Sequence, residues 1–163
     1  MKIILLTHER ELHRKTNTGA LAIESSNSIV ERIVWERLSP NKELIRLIEN
    51  NEAVLLYSKS DSSTGEPLLV DHELLPVKIE AYDNIIIIDA TWQESKKIFN
   101  QSPYLKNAAR FSFKTTNDSL YTLRANQPKG GLCTIECIIE ILKLKGHDKM
   151  ANALSLKFIQ FNG

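Results

Sequence analysis

Ile85-Ile86-Ile87-Ile88-Asp89-Ala90-Thr91-Trp92 is the stretch on which the fold turns. Four consecutive isoleucines make a strand that is apolar on both faces, which suits the middle of a parallel sheet covered by helices. A helix is expected at once, from about Trp92 to Phe99, ending near Pro103. Working outward, KIILL (2–6), SIVERIVW (28–35), EAVLLY (52–57), ARFSFK (109–114) and SLYTLR (119–124) read as further strands. Leu44, Ile45, Leu47 and Ile48 recur at helical spacing in a helix that starts at Pro40 and runs to Asn50-Asn51. TIECIIEILKLKG (134–146) is an amphipathic helix closing on Gly146, and 148–160 is a terminal helix. SKSDSSTGEP (58–67) and NQPKGG (126–131) read as loops. Strands alternating with helices predict an α/β fold, a mostly parallel sheet flanked by helices, in a single domain over residues 1–163.

Composition narrows the class. The 163 residues are 42% hydrophobic and 25% charged, with 6 Gly and 5 Pro, which is ordinary for a globular chain and excludes a fibrous or disordered one. No run approaches the ~20 apolar residues that span a bilayer, and four apolar residues before Thr7 are too few for a secretory leader. A cytoplasmic protein is expected. Two cysteines four positions apart exclude a disulfide framework and a four-cysteine zinc module. The net charge of +1 hides an asymmetry: residues 1–95 carry 10 Lys/Arg against 16 Asp/Glu, whereas residues 96–130 carry 7 against 1. Such a basic stretch either solvates a helix and its loops or presents a positive face to phosphates.

In open parallel sheets ligands collect beyond the carboxyl ends of the strands. That singles out Tyr57-Ser58, the run Asp89 to Trp92, and Arg124 through Thr134. Asp89 has two readings: a base at a strand tip, its pKa raised by partial desolvation, or a cap for the helix that follows. Thr91 is likewise an acceptable cap. Trp92 is either a hydrophobic anchor or a stacking surface for a base. Gly130-Gly131 precede the helix that carries Thr134 and Glu136, where backbone can approach a ligand or simply turn. Cys133 and Cys137 fill only half a tetrahedral zinc site and read better as small buried hydrophobes. The polar run from His8 to Gly19 is either a solvated loop or a binding wall in which His8, Glu11 and Arg14, spaced by three, share one side of a turn.

Taken together these blocks carry a resemblance. Asp89-Ala90-Thr91-Trp92 resembles the Asp-x-Thr-Trp signature of the DTW-domain family. His8-x-x-Glu11-x-x-Arg14-x-Thr16-Asn17-Thr18-Gly19, Leu55-Leu56-Tyr57, Tyr121-x-Leu123-Arg124-x-x-Gln127-Pro128 and Leu132-x-Thr134-x-Glu136 are similar, in order, to its other blocks. The resemblance spans nearly the whole chain. It implies a SPOUT-like fold with a C-terminal trefoil knot, threaded at the late helix after NQPKGG. It also implies a tRNA-uridine aminocarboxypropyltransferase that moves the 3-amino-3-carboxypropyl group of S-adenosylmethionine to uridine N3 and releases methylthioadenosine. A SPOUT-type methyltransferase using the same donor, or a non-catalytic RNA-binding module, are the alternatives.

On this basis Asp89 is the expected catalytic base. Tyr57, Ser58, Thr91, Trp92, Arg124, Gly130, Gly131, Leu132, Thr134 and Glu136 are expected to hold S-adenosylmethionine, with the Arg124 fork on its carboxylate and Glu136 on its ammonium. His8, Arg14, Asn17, Lys96, Lys97 and Arg110 are expected to face tRNA. No metal and no membrane are expected, and the protein is read as a monomer or a homodimer. The chain departs from the family pattern in lacking an N-terminal Cys cluster, in Ser58 where Pro is expected, and at Cys133 and Cys137, where Ser and Ala are common.

Overall fold

The computed structural model describes residues 1–15, 17–25, 28–56, 79–111 and 133–162. Five strands form one sheet: β1 (Lys2–Thr7), β2 (Val30–Val34), β3 (Ala53–Leu56), β4 (Asn84–Asp89) and β5 (Ala109–Phe111), in the order β2-β1-β4-β3-β5. Every pairing is parallel. The isoleucine strand lies in the middle, with Ile85 paired to Ile3 and Val54, and Asp89 paired to Thr7.

Period-two alternation divides the strand side chains between two helical layers. Ile3, Leu5, Val30, Val54, Ile85 and Ile87 pack against α1 (Gly19–Ser25), α5 (Thr134–Leu144) and α6 (Asp148–Asn162). Ile4, Leu6, Leu55 and Ile86 pack against α2 (Lys42–Glu49), α3 (Trp92–Asn100) and α4 (Pro103–Lys106). Two 3-10 turns, Glu9–His13 and Ile79–Ala81, complete the described elements. Among the described residues no helix is long and apolar enough to cross a membrane.

Several boundaries depart from the expectation, each for a local reason. Pro40 does not start α2. Asn41 does, its side-chain oxygen accepting from the Leu44 N–H at 2.9 Å. Pro103 opens a short helix rather than closing one, as its fixed φ allows at a first helical position. Asp89 does not cap α3: Thr91 does, in a capping box in which Glu94 accepts from the Thr91 N–H at 3.1 Å and Thr91 Oγ1 from the Glu94 N–H at 3.2 Å. The expected strand at 119–124, the loops at 58–67 and 126–131, and the place where a knot would be threaded lie outside the described residues.

Among the described elements the strand order marks one place where a ligand crevice is expected. The chain leaves β1 toward β2 through α1 on one face, and leaves β4 toward β5 through α3 and α4 on the other. Neighbouring strands whose connections diverge to opposite faces favour ligand binding beyond their carboxyl ends. Thr7 and Asp89 stand side by side at that end of the sheet, both buried.

Burial on both faces of the sheet is testable. Ile85→Thr and Ile86→Thr alter side chains of opposite faces, both fully buried. Each should cost about 2–4 kcal/mol in chemical denaturation, from lost apolar area and a buried hydroxyl. A cost near zero for either would mean that its face is open.

Candidate active site

Asp89 is 1% exposed, yet both its oxygens are occupied. Oδ1 accepts from the Thr134 hydroxyl at 2.8 Å and from Asn17 Nδ2 at 3.0 Å. Oδ2 accepts from the Thr7 hydroxyl at 3.1 Å, with Arg32 Nη2 at 3.5 Å. Asn17 Nδ2 also lies 3.2 Å from Oδ2. Burial pushes the Asp89 carboxyl above its ordinary range, and the negative Glu11 adds to that push; the Thr134 and Asn17 hydrogen bonds and the Arg32 charge oppose it.

The run Asn17-Thr18-Gly19 assembles this arrangement. Asn17 is 5% exposed. Its Oδ1 accepts from the Ala20 N–H and from Arg32 Nη2, both at 3.0 Å, while its Nδ2 donates to Glu11 at 2.9 Å as well as to Asp89. One amide therefore tethers the first turn of α1 to two buried carboxylates. Thr18 Oγ1 accepts from the Ile135 N–H at 3.1 Å and so fixes the start of α5. Gly19 leaves room: a Cβ there would fall 2.9 Å from Asp89 Oδ2 and 3.0 Å from Leu5 Cδ1.

A second layer of charge lies alongside. Glu11 is 1% exposed and pairs with Arg14, whose guanidinium also grips Glu94 with both ends, at 2.9 and 3.1 Å. Burial raises the Glu94 carboxyl, but hydrogen bonds from Arg14 and from the Thr91 backbone and hydroxyl outweigh it and hold the group at about 2. The His8 ring stacks on Trp35 with centroids 6.0 Å apart, and its Nδ1 accepts from the Arg10 N–H at 3.1 Å. With all groups ionised, the carboxylates of Glu11, Asp89 and Glu94 face the two guanidinium groups of Arg14 and Arg32. The cluster then has a surplus of negative charge at the crevice.

The residues expected from the sequence fall into distinct places. Asp89, Thr134 and Asn17 meet directly. Thr91 caps α3 beside them, and Glu136 caps α5 by accepting from the Cys133 N–H at 3.1 Å. The spacing of His8, Glu11 and Arg14 does form one side of a turn, but that side points inward, as does Asn17. Lys96 and Lys97 lie on α3, and Arg110 on β5 sits over the Phe99 ring at 5.0 Å and donates to the Lys106 carbonyl at 2.8 Å. Tyr57, Ser58, Arg124, Gly130, Gly131 and Leu132 lie outside the described residues. Of Trp92 only its place at the start of α3 is described. Cys133 is a buried thiol pushed up to about 12 by burial and by the adjacent Glu136, so it is neutral and no nucleophile at physiological pH. Among the described residues no group of three or more His, Cys, Asp or Glu side chains is disposed to hold a metal ion.

Sequence reasoning missed Thr7, Arg32 and Glu94 as members of the site. Signals for two of them existed. Thr91-x-x-Glu94 is a capping-box pattern. Arg32 shares a strand face with Val30, which put a guanidinium on the inward side of an apolar strand.

A family model described as DTW domain matches residues 1–162. The chain is 27% identical over 148 residues to a Drosophila melanogaster protein named tRNA-uridine aminocarboxypropyltransferase 2, covering 86% of this chain and 55% of that protein. It is 26% identical over 102 residues to proteins of the same name from Macaca fascicularis and Mus musculus, covering 63% of this chain and 32% of each of them. The chain thus spans about half the length of the fly relative and about a third of the mammalian ones. No solved structure matches it.

Two outcomes follow from the geometry. Gly19→Ala should lower stability by about 1–3 kcal/mol through overpacking, against the gain of up to ~1 kcal/mol that alanine brings to a helix; a denaturation midpoint equal to wild type would mean that the carboxylate does not fill that space. For Glu94 the folded value lies below the ordinary 4.5, so its contribution is complete above that pH and is lost as pH falls toward about 2. The thermal midpoint of Glu94→Gln should therefore lie below wild type at pH 7, with the gap closing between pH 4.5 and 2; a gap independent of pH would refute the pairing.

Proposed function

This chain belongs to the DTW domain family, and from that premise we propose that it is a tRNA-uridine aminocarboxypropyltransferase that uses S-adenosylmethionine to alkylate uridine N3. The supporting observation is the buried Asp89 cluster at the divergence of β1 and β4, where Asp89, Asn17 and Thr134 meet. The exit of β3, the exit of β4 and the start of α5 share the carboxyl edge of the sheet. When Asp89 is ionised, the cluster's one surplus negative charge suits a donor that carries a sulfonium and an ammonium group.

When bound, S-adenosylmethionine supplies a Cγ already activated by its sulfonium leaving group. Residues of this chain then have two tasks: to hold that carbon in line with uridine N3, and to take the N3 proton as the N3–Cγ bond forms. Thr91, Thr134 and Glu136, together with Tyr57, Ser58, Trp92, Arg124, Gly130, Gly131 and Leu132, are the proposed holders. His8, Arg14 and Asn17 are the proposed RNA-facing wall, and Lys96, Lys97 and Arg110 are proposed phosphate contacts.

Asp89 is the proposed base. With 1% exposure and both oxygens engaged, it takes the N3 proton only if a donor now bonded to it, such as the Thr134 or the Thr7 hydroxyl, gives way. The same burial favours a second reading, in which Asp89 stays fixed and positions Asn17, Thr134 and Arg32 around the ligands.

The test is incubation of purified protein with S-adenosylmethionine and unmodified tRNA, followed by nucleoside mass analysis and detection of methylthioadenosine. An aminocarboxypropyl increment supports the proposal, and a methyl increment or no product refutes it. Asp89→Asn should reduce the rate by about 10²–10⁴ without unfolding. If Asp89 is the base, activity of the variant recovers as alkaline pH ionises N3 unaided; if it is a positioning residue, the loss persists at every pH.

A further inference from the structure

The turn Glu9–His13 and the residues after it sort their charges by side. Inward, Glu11 is buried against Asn17 and Arg14, and Arg14 is engaged by Glu11 and Glu94. Outward, Arg10, His13 and Lys15 are exposed, with Glu9 the exposed acid among them. The segment after β2 adjoins this turn: the Trp35 N–H donates to the Thr7 carbonyl at 2.8 Å, and the Trp35 ring stacks on His8. That segment carries exposed Glu36 and Arg37, and Leu38, which at 92% is the most exposed large apolar side chain among the described residues.

Arg10, Lys15 and Arg37 against Glu9 and Glu36 leave these two adjoining segments with a small positive surplus on the acidic half of the chain. Their attachment to the site is short, since the His8 N–H donates to the Asp89 carbonyl at 3.2 Å. We propose that Arg10, His13, Lys15 and Arg37 dock the phosphate backbone of an unpaired RNA segment and deliver its base to Asp89. The inference rests on the transferase reading above and goes beyond it by naming the docking surface. Phosphates supply the charge complement. The segment must be unpaired because N3 lies on the Watson–Crick edge, hidden within a duplex.

The experiment is tRNA binding by the purified chain across a salt series, followed by fluorescence anisotropy, for wild type, Arg10→Glu with Lys15→Glu, and Lys96→Glu with Lys97→Glu. The Arg10/Lys15 pair should bind about tenfold or more weakly near 0.1 M salt. Its dependence of log K on log salt should flatten by roughly 0.7–0.9 for each phosphate that is no longer neutralised. Its thermal midpoint and its binding of S-adenosylmethionine alone should match wild type. The milder Arg10→Gln with Lys15→Gln should move affinity the same way by a smaller factor. Wild-type affinity and salt slope in the Arg10/Lys15 pair, above all if the Lys96/Lys97 pair loses both, overturns this surface. Loss of binding in the Arg10/Lys15 pair, with wild type transferring no group to tRNA, upholds the surface and sinks the transferase reading. A wild-type chain that binds no tRNA sinks both.

Discussion

The structure is organised by the cost of keeping one carboxylate out of water. A buried carboxyl is tolerated only where donors surround it, and Asp89 receives them from four separate places: the tip of β1, the turn just before α1, the inner face of β2 and the start of α5. Removing any of those segments leaves the charge undercompensated. The demand for donors thus ties together pieces of chain that are up to 82 residues apart in sequence. The sheet supplies the framework, since parallel register sets Thr7 beside Asp89 without any loop having to reach across.

Much of the fold was legible because it rests on patterns that act locally. An isoleucine run apolar on both faces has few places to go other than between two helical layers, and the observed clusters divide Ile85 and Ile86 between those layers. Helix ends were less legible because capping is decided by individual side-chain geometry. Pro40 and Pro103 were strong signals for boundaries, but Asn41 and the fixed φ of a first-turn proline decided the outcome. The helix Gly19–Ser25 had no strong period of its own, and its position depends on Asn17 and on packing against α5 and α6.

The site was legible in its central residue and less so in its support. A carboxylate at the end of an apolar strand announces itself, and Thr134 stood in a block already singled out. Asn17 was recognised as part of a block and assigned to an RNA-facing wall, but its bonds to Asp89 and Glu11 were not foreseen, because sequence spacing does not tell which side of a turn faces the core. Arg32 was invisible for another reason. Its partners come from β1, β4 and the turn before α1, and they meet only after strand order is fixed. Glu94 needed the fold as well: its capping role is local, but its bidentate partner Arg14 lies 80 residues earlier.

Asn17 is one side chain with two employments, and that has a mechanical consequence. The amide that stitches down the first turn of α1 also holds the buried carboxylate. Any displacement of an Asp89 oxygen from Asn17 would therefore slacken the helix anchored to the same group. Tautness in the resting protein and readiness to engage a guest then sit on opposite pans of a balance, with this small amide as the fulcrum.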